Sequence, residues 1–147
     1  MKNLFINSSP NKNGNTARLA KELLKGNEYE TLNMIDYKVY AYGQKYEDDQ
    51  FEEIIRAIRN ADKVIMGTPL YWHNISGMLR NFLDRCYGPV SQGEFAGKDL
   101  FFIIQGAAPE EWQLEACEFT MSRFAGLYGF NYRGMITNFE DASSTEI

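Results

Sequence analysis

The sequence predicts an α/β fold in which helices cover both faces of a parallel β-sheet. Short apolar segments alternate with segments of helical periodicity along the chain, a pattern typical of parallel strands joined by crossover helices. The 147 residues suffice for one domain with its own core, residues 1–147, and are too few for two of ordinary size. Right-handed crossovers leave few topologies for such a sheet.

Five segments are predicted as strands, because each is short, apolar and bounded by turn residues. They are residues 2–6, 29–34, 63–67, 100–104 and 131–137. Four segments between them carry apolar side chains at helical spacing, and these stripes are expected to face the sheet. The stripes are Leu19, Ala20, Leu23 and Leu24; Phe51, Ile54, Ile55 and Ile58; Leu79, Phe82, Leu83 and Cys86; and Trp112, Leu114, Cys117, Met121 and Phe124.

The ends of these helices are marked by residues that favour helix termini. Gly26 suits the C-terminal stop of the first helix. Asp48 or Asp49 can cap the second helix, and Ser76 can cap the third. Pro109 suits the first position of the fourth helix, because that position needs no backbone N–H.

Charge and composition restrict the functions that the chain can have. The formal net charge of −5 argues against nucleic acid as the main partner, because phosphate backbones favour basic surfaces. No apolar run approaches the roughly 20 residues of a membrane helix, and no secretory leader precedes the first strand. Cys86 and Cys117 form no CxxC pair, so we expect buried, reduced thiols, a cytoplasmic setting and no metal centre.

Residues 7–16, Asn-Ser-Ser-Pro-Asn-Lys-Asn-Gly-Asn-Thr, lie where the first strand turns into the first helix. Free backbone N–H groups and the positive end of the helix dipole would converge there, which suits a phosphate group. The same residue types are common in ordinary turns, so composition alone leaves both interpretations open.

Three loops are expected to meet at one edge of the sheet. Residues 8–16, 68–74 and 105–108 each follow a predicted strand and are rich in polar or aromatic side chains. In parallel sheets, ligands bind beyond the carboxyl ends of the strands, near the point where the strand order reverses. The sequence therefore predicts a ligand site formed by these three loops.

The sequence lacks the motifs of several other protein classes that have similar folds. The first loop ends Gly14-Asn15-Thr16 rather than in the Gly-Lys-Ser/Thr of a phosphate-loop NTPase. It has no cysteine to serve as the nucleophile of a low-molecular-weight tyrosine phosphatase. The third strand ends without the aspartate of a response regulator, and no GxGxxG dinucleotide motif is present.

Two motifs carry a family resemblance. Residues 8–16 resemble the phosphate loop of flavodoxin-like NAD(P)H-dependent FMN reductases. Pro69-Leu70-Tyr71-Trp72, followed by Leu79, Phe82 and Asp84-Arg85, resembles the second signature of that family. The resemblance covers residues 2–137 and implies a flavodoxin-like three-layer sandwich with strand order 2-1-3-4-5. It also implies FMN as cofactor, NAD(P)H as co-substrate, and a quinone, flavin or similar small molecule as electron acceptor.

The resemblance also assigns roles to individual residues. Ser9, Asn15 and Thr16 are expected to bind the FMN phosphate, with Lys12 as a charge partner. No catalytic side chain is implied, because the flavin itself accepts the hydride. The flavin ring and its ribityl chain are expected to contact the second and third loops, through Pro69, Leu70, Tyr71, Trp72, Asn74, Gln105 and Gly106.

Some interpretations remain open at this point. Trp72 can stack on the flavin or plug the core beneath its loop, and His73 can be a proton donor to a quinone or a solvated loop residue. The protein can also be a flavodoxin-type electron carrier, or a flavin-binding relic without turnover. Residues 138–147 are acidic and lack apolar periodicity, so the family's last helix is expected to be missing. The uncovered sheet face would then favour a homodimer.

Overall fold

The computed structural model describes residues 1–147 and contains one five-stranded sheet, all of whose neighbouring strands are parallel. The strand order is β2-β1-β3-β4-β5, which confirms both the predicted fold class and the predicted order. The strands are β1 (Asn3–Asn7), β2 (Glu30–Asn33), β3 (Lys63–Pro69), β4 (Asp99–Gln105) and β5 (Asn131–Ile136).

Five helices surround the sheet. They are α1 (Asn15–Leu23), α2 (Phe51–Arg59), α3 (Gly77–Cys86), α4 (Glu111–Tyr128) and α5 (Phe139–Ser144). The buried stripes of α2, α3 and α4 pack in the larger apolar cluster on one face of the sheet. The buried residues of α1 and α5 pack in a smaller cluster that includes Phe5, Ile65 and Phe101. No helix is long and apolar enough to cross a membrane.

The short helix α5 corrects the prediction that the tail is irregular and the last helix missing. The Asn138 side chain accepts a hydrogen bond from the Asp141 backbone N–H at 2.8 Å and caps the helix. Ala142 is buried, and Ile147 packs against the same cluster as α1. A helix of six residues with one buried side chain is too short to show periodicity, so the sequence pattern did not reveal it. Because α1 and α5 cover this sheet face, an uncovered face is no longer a reason to expect a dimer.

The start of α4 also differs from the prediction. The helix begins at Glu111, and Glu110 and Gln113 form a reciprocal capping box before it, so Pro109 precedes the helix. This register turns Trp112 outward, where 54% of its surface is exposed. The side chains of α4 that are buried are instead Gln113, Cys117, Met121, Phe124, Ala125 and Tyr128.

The caps of the other helices follow the predictions more closely. Ser76 caps α3 and accepts a hydrogen bond from the Leu79 N–H at 3.3 Å. Before α2, Gln50 occupies the N-cap position, and Asp49 accepts a hydrogen bond from the Phe51 N–H at 2.9 Å. Cys86 and Cys117 are free and buried, as expected, and burial raises the pKa of both thiols.

Candidate functional site

The three loops predicted to meet do lie side by side at the carboxyl edge of the sheet. Strand β3 runs between β1 and β4, so the loops that follow these three strands are neighbours. The Ser8 N–H donates to the Gly67 carbonyl at 2.9 Å, and the Leu70 N–H donates to the Gln105 carbonyl at 2.8 Å. These bonds fix the first loop to the second, and the second to the third.

A buried network of hydroxyl groups strengthens the link between the first two loops. The Ser8 hydroxyl donates to the Gly67 carbonyl at 2.7 Å, and the Ser76 hydroxyl donates to the Ser8 carbonyl at 2.8 Å. The Thr68 hydroxyl accepts from the Ser76 N–H at 2.9 Å and donates to the Pro69 carbonyl at 2.8 Å. The start of α3 is thereby held against the loop that precedes α1. Thr68, which sequence reasoning did not single out, is central to this arrangement.

The N-terminus of α1 presents hydrogen-bond donors that the protein itself does not use. Gly14 occupies the N-cap position and provides no side-chain cap. The first helical N–H with an acceptor is that of Arg18, so the N–H groups of Asn15, Thr16 and Ala17 have none. The Thr16 hydroxyl oxygen is buried and has no hydrogen-bond partner. Unpaired donors at the positive end of a helix fit an anionic ligand.

The loop before α1 is already folded by its own side chains. The Asn7 side chain accepts from the Ser9 N–H at 3.1 Å, and the Ser9 hydroxyl oxygen accepts from the Asn11 N–H at 3.1 Å. Asn11 in turn accepts from the Asn13 N–H at 3.0 Å. The Ser9 hydroxyl donates to no protein group, so its proton remains available. A Cβ atom at Gly14 would lie 3.0 Å from the Asn11 side chain, so this turn favours glycine.

Two of the residues predicted to bind the phosphate, Lys12 and Asn15, have side chains that contact other protein groups instead. The Lys12 ammonium group forms an ion pair with Asp36 at 2.8 Å, on the exposed surface. The Asn15 side chain is exposed and accepts a hydrogen bond from the Arg18 guanidinium at 3.2 Å. Lys12 is therefore already matched by a carboxylate, and Asn15 offers its backbone N–H rather than its side chain.

The second loop contains a tight turn with Trp72 and His73 at its centre. The Tyr71 N–H donates to the Asn74 carbonyl at 2.8 Å, and the Asn74 N–H donates back to the Tyr71 carbonyl at 3.1 Å. Trp72 and His73 have φ angles of 47° and 65°, which together with these bonds fit a type I′ turn. The Trp72 side chain is 93% exposed, so the interpretation that it plugs the core is wrong.

The start of α4 lies against this turn. The Gln113 side-chain amide contacts His73 Nδ1, and the His73 and Trp112 rings lie 5.5 Å apart. If the amide donates, Nδ1 accepts and a neutral His73 carries its proton on Nε2. Sequence reasoning missed Gln113 and Trp112 as neighbours of the site, although the capping-box spacing of Glu110 and Gln113 was a usable signal.

The remaining predicted residues form the wall between the second and third loops. A Cβ atom at Gly106 would lie 3.1 Å from the Leu70 Cβ, so a glycine lets the two loops pack closely. The Asn74 side-chain oxygen accepts from the Ile75 N–H at 2.9 Å, which leaves its amide N–H groups free. Gln105 contributes its carbonyl to Leu70. The structure thus brings together the second- and third-loop residues that the sequence assigned to one ligand.

Comparison with known proteins identifies the family of this chain. A model of the NADPH-dependent FMN reductase family matches residues 1–126. The chain belongs to this family. An iron-sulfur flavoprotein of Archaeoglobus fulgidus is one relative of this chain. It is 32% identical over 97 residues, and the match covers 58% of this chain and 48% of the relative. The NAD(P)H-dependent FMN-containing oxidoreductase YwqN of Bacillus subtilis is 30% identical over 93 residues, 58% of this chain and 51% of the relative.

Solved structures show the same flavodoxin-like fold. The Trp repressor binding protein of Bacillus subtilis has a TM-score of 0.77 at 21% identity, with 96% of each chain covered. An FMN-dependent NADH-azoreductase of Bacillus anthracis, solved in complex with FMN, has a TM-score of 0.71 at 16% identity and covers 97% of this chain and 92% of its own. The family member described here spans about half the length of the curated relatives it matches.

The number and position of the cysteines distinguish this chain from proteins that bind an iron–sulfur cluster. An iron–sulfur cluster is usually held by four cysteine thiolates. The 147 residues contain only Cys86 and Cys117, one on α3 and one on α4, and both are buried. The cluster named in some relatives is therefore not a property that these residues can supply with cysteine ligands.

Proposed function

We propose that this protein binds FMN and acts as an NAD(P)H-dependent oxidoreductase that passes electrons to a quinone, a flavin or a similar small acceptor. The observation that carries the proposal is the set of unused donors at the start of α1, above all the buried, unpartnered Thr16 hydroxyl. Family membership supports a flavin as the ligand, and the phosphate of FMN fits these donors.

The phosphate would be held mainly by neutral donors. The donors that have no acceptor in the protein lie in the turn between β1 and α1 and in the first turn of α1: the N–H groups of Asn15, Thr16 and Ala17 and the hydroxyl groups of Thr16 and Ser9. Hydrogen bonds to a charged acceptor are stronger than those between neutral groups, so a few well-placed donors suffice. Lys12 would add little direct attraction, because Asp36 already pairs with it.

The flavin ring would lie along the second and third loops. When bound, FMN supplies a ring that accepts a hydride and passes electrons on, so the protein has to provide placement and electrostatics. The Leu70 and Tyr71 N–H groups are already bonded within the protein, so the donors left for the polar edge of the ring are the Gly106 N–H and the free amide of Asn74. Stacking by Trp72 stays a prediction. We assign no general acid or base, although His73 could offer its Nε2 proton to an acceptor.

Thr16→Val tests the proposed phosphate-binding site at the start of α1. Valine keeps the methyl group that packs against Gly67 and removes only the hydroxyl. The affinity for FMN should fall roughly ten- to a hundredfold, because a hydrogen bond to a charged group is lost. The affinity for riboflavin, which lacks the phosphate, should stay the same. Fluorescence titration with both ligands measures this, and Thr31→Val on β2 is the matched control. Equal losses for the two ligands would contradict the assignment.

Anaerobic mixing with NADH or NADPH tests the activity. If the protein is a reductase, stoichiometric nucleotide should bleach the visible absorbance of the bound flavin, because hydride transfer reduces its ring. Flavin that responds to dithionite but to neither nucleotide would favour the flavodoxin-type carrier. A protein that binds FMN and fails to pass electrons to any added quinone or flavin would be a binding relic.

A further inference from the structure

His73 in the second loop and Gln113 in the first turn of α4 contact each other through their side chains. Gln113 is buried, with 7% of its surface exposed. Its side-chain oxygen accepts a hydrogen bond from the Glu110 backbone N–H at 2.9 Å, as one half of the capping box. Because a backbone N–H can only donate, this bond identifies the oxygen end of the amide. The nitrogen end therefore faces His73.

This contact determines which nitrogen of the His73 ring carries the proton. The Gln113 amide nitrogen can only donate, and the ring atom that it contacts is Nδ1. Nδ1 therefore has to accept, so the neutral ring carries its proton on Nε2. Nδ1 is the only ring atom of His73 with a hydrogen-bond partner in the chain. Because His73 is exposed, its Nε2–H is free to bind a ligand.

Two tryptophans restrict the orientation of the His73 ring. The centroid of the Trp112 ring lies 5.5 Å from that of His73, at an interplanar angle of 37°. The centroid of the Trp72 ring lies 6.4 Å away, and its plane is tilted by 77°. The Trp112 indole N–H donates to the Glu110 carboxylate, so Glu110 holds both residues of α4 that contact His73. A donor that its surroundings hold in place needs little reorganisation when a reaction begins.

The loop that contains this donor borders the proposed FMN site. His73 stands between Trp72 and Asn74, two residues expected to contact the flavin. We propose that His73 donates a hydrogen bond through Nε2 to an oxygen atom of a quinone while the quinone is reduced. Gln113 is then the positioning residue that keeps the proton on Nε2. This inference rests on the proposed function, and it names the class of acceptor and the residue that recognises it.

Reduction of a quinone develops negative charge on an atom that such a donor can stabilise. The quinone takes a hydride from the reduced flavin and a proton from water, which gives the hydroquinone and leaves the flavin oxidised. Before the proton arrives, a quinone oxygen is negatively charged, so a donor aimed at it stabilises this form more than the neutral quinone. Nε2 keeps its proton throughout, because the loss of this proton would leave an imidazolate anion. His73 is therefore a hydrogen-bond donor and not a general acid.

The position of the proton tests the role of Gln113 without any flavin. Long-range proton–nitrogen NMR correlations of the FMN-free protein, recorded under alkaline conditions in which histidines are neutral, distinguish the two tautomers of its only histidine. Wild-type His73 should be the Nε2–H tautomer. Gln113→Glu keeps an oxygen for the Glu110 N–H but places an acceptor at Nδ1, so this variant should shift His73 to the Nδ1–H tautomer. Gln92→Glu, in an exposed loop, adds the same charge and is the matched control.

Reoxidation of the flavin by a quinone tests the role of His73. Bound FMN is reduced with stoichiometric dithionite and mixed anaerobically with a benzoquinone or with ferricyanide, which accepts single electrons and needs no such hydrogen bond. His73→Phe should lower the maximal rate with the quinone about tenfold and leave the half-saturating concentration nearly unchanged, because the lost bond acts on the developing charge. The rate with ferricyanide should not change. Gln113→Glu should slow only the quinone reaction in the same way under alkaline conditions.

Three results would contradict a hydrogen bond from His73 to the quinone. One is a wild-type His73 that carries its proton on Nδ1, and another is a folded His73→Phe variant that reduces the quinone at the wild-type rate. The third is equal slowing with both acceptors, which would assign the Nε2–H to the flavin itself. Circular dichroism and FMN titration check that each variant is folded and loaded. Because dithionite replaces NAD(P)H, loss of the nucleotide-dependent activity alone would contradict the proposed function and leave this test valid.

Discussion

Trp72 and His73 have positive φ angles, which residues other than glycine rarely adopt. A left-handed conformation costs a residue with a Cβ atom about 1–2 kcal/mol, and type I′ turns usually place asparagine and glycine at these positions. The exposed indole makes almost no contact that could compensate for this cost. Because strain of this kind is concentrated at functional sites, we propose that the Trp72 side chain contacts the ligand.

Replacing Trp72 should therefore stabilise the protein. Asparagine tolerates the left-handed region, so Trp72→Asn should raise the free energy of unfolding by about 1 kcal/mol and Tm by about 2–4 °C. The same change should weaken FMN binding, because the exposed ring is lost. Thermal unfolding without ligand and flavin titration measure the two effects. Trp112→Asn, on an ordinary helical backbone, is the control and should bring no gain. An unchanged or lower Tm for Trp72→Asn would show that the turn is not strained.

The surroundings of individual residues in the candidate site could be predicted only where they depend on neighbours in the sequence. The Thr16 and Ser9 assignments came from a contiguous motif, and the structure leaves their hydroxyl groups available for a ligand. The Lys12–Asp36 ion pair and the contact between His73 and Gln113 join residues far apart in sequence. A motif contains no information on such pairs, so the side-chain direction of Lys12 could not be read from it.

At the scale of the element, the start of α3 is the most connected point of the site. The Ser76 hydroxyl caps the helix and donates to the Ser8 carbonyl, and the Ser76 N–H donates to the Thr68 hydroxyl oxygen. All three residues are buried. A hydroxyl that satisfies both a helix end and a neighbouring loop cannot be replaced by solvent without opening the site.

Ser76→Ala should accordingly destabilise the protein by about 2 kcal/mol, since it removes a helix cap and leaves the buried Ser8 carbonyl unpaired. The midpoint of urea unfolding should fall while the slope with denaturant stays the same. Ser91→Ala, in an exposed loop, is the control and should be neutral. A loss below 0.5 kcal/mol, which is the ordinary range for surface changes, would mean that the network carries little energy.

The elements that the sequence predicted well are those with long apolar stripes. The buried faces of α2 and α3 matched residue for residue, because four apolar positions at helical spacing leave little choice of rotation. Helix α4 was harder, since its two apolar sides give conflicting signals and Trp112 belongs to the outer one. Helix α5 is too short for any stripe.

For the whole molecule, one ion pair ties the tyrosine-rich loop, residues 37–46, to the helical layer. The Arg85 guanidinium donates to Asp49 at 2.6 and 3.0 Å and to the Tyr40 carbonyl at 2.9 Å. It also lies 5.0 Å from the Phe51 ring centroid. Both partners are largely buried, so this pair is screened less than a surface pair.

The pair makes stability depend on pH in a defined range. Hydrogen bonds from Arg85 lower the pKa of Asp49 to about 2. Because the folded-state pKa lies below the unfolded one, the contribution is complete above about pH 4 and is lost as pH falls toward 2. Asp49→Asn should cost about 2 kcal/mol at pH 7, and the difference from wild type should shrink below pH 4. Urea unfolding at several pH values measures this.

Asp48→Asn is the control for this prediction, because the contacts of Asp48 with Lys38 and with the Tyr40 hydroxyl are both exposed to solvent. It should change stability little at any pH. A difference between Asp49→Asn and wild type that stays constant from pH 7 to pH 2, the range over which carboxylates titrate, would show that the ionised form of Asp49 is not what stabilises the fold.

Lys12 is paired with Asp36 and the Arg18 guanidinium contacts the exposed Asn15 side chain, so the donors without a partner at the start of α1 are neutral groups. A phosphate bound there would be held by short-range contacts with neutral donors, and mobile ions screen such contacts far less than they screen attraction between net charges. Retention of the flavin would then hardly depend on ionic strength, and the holoprotein would survive the high-salt elution steps that strip phosphate ligands from lysine-lined sites.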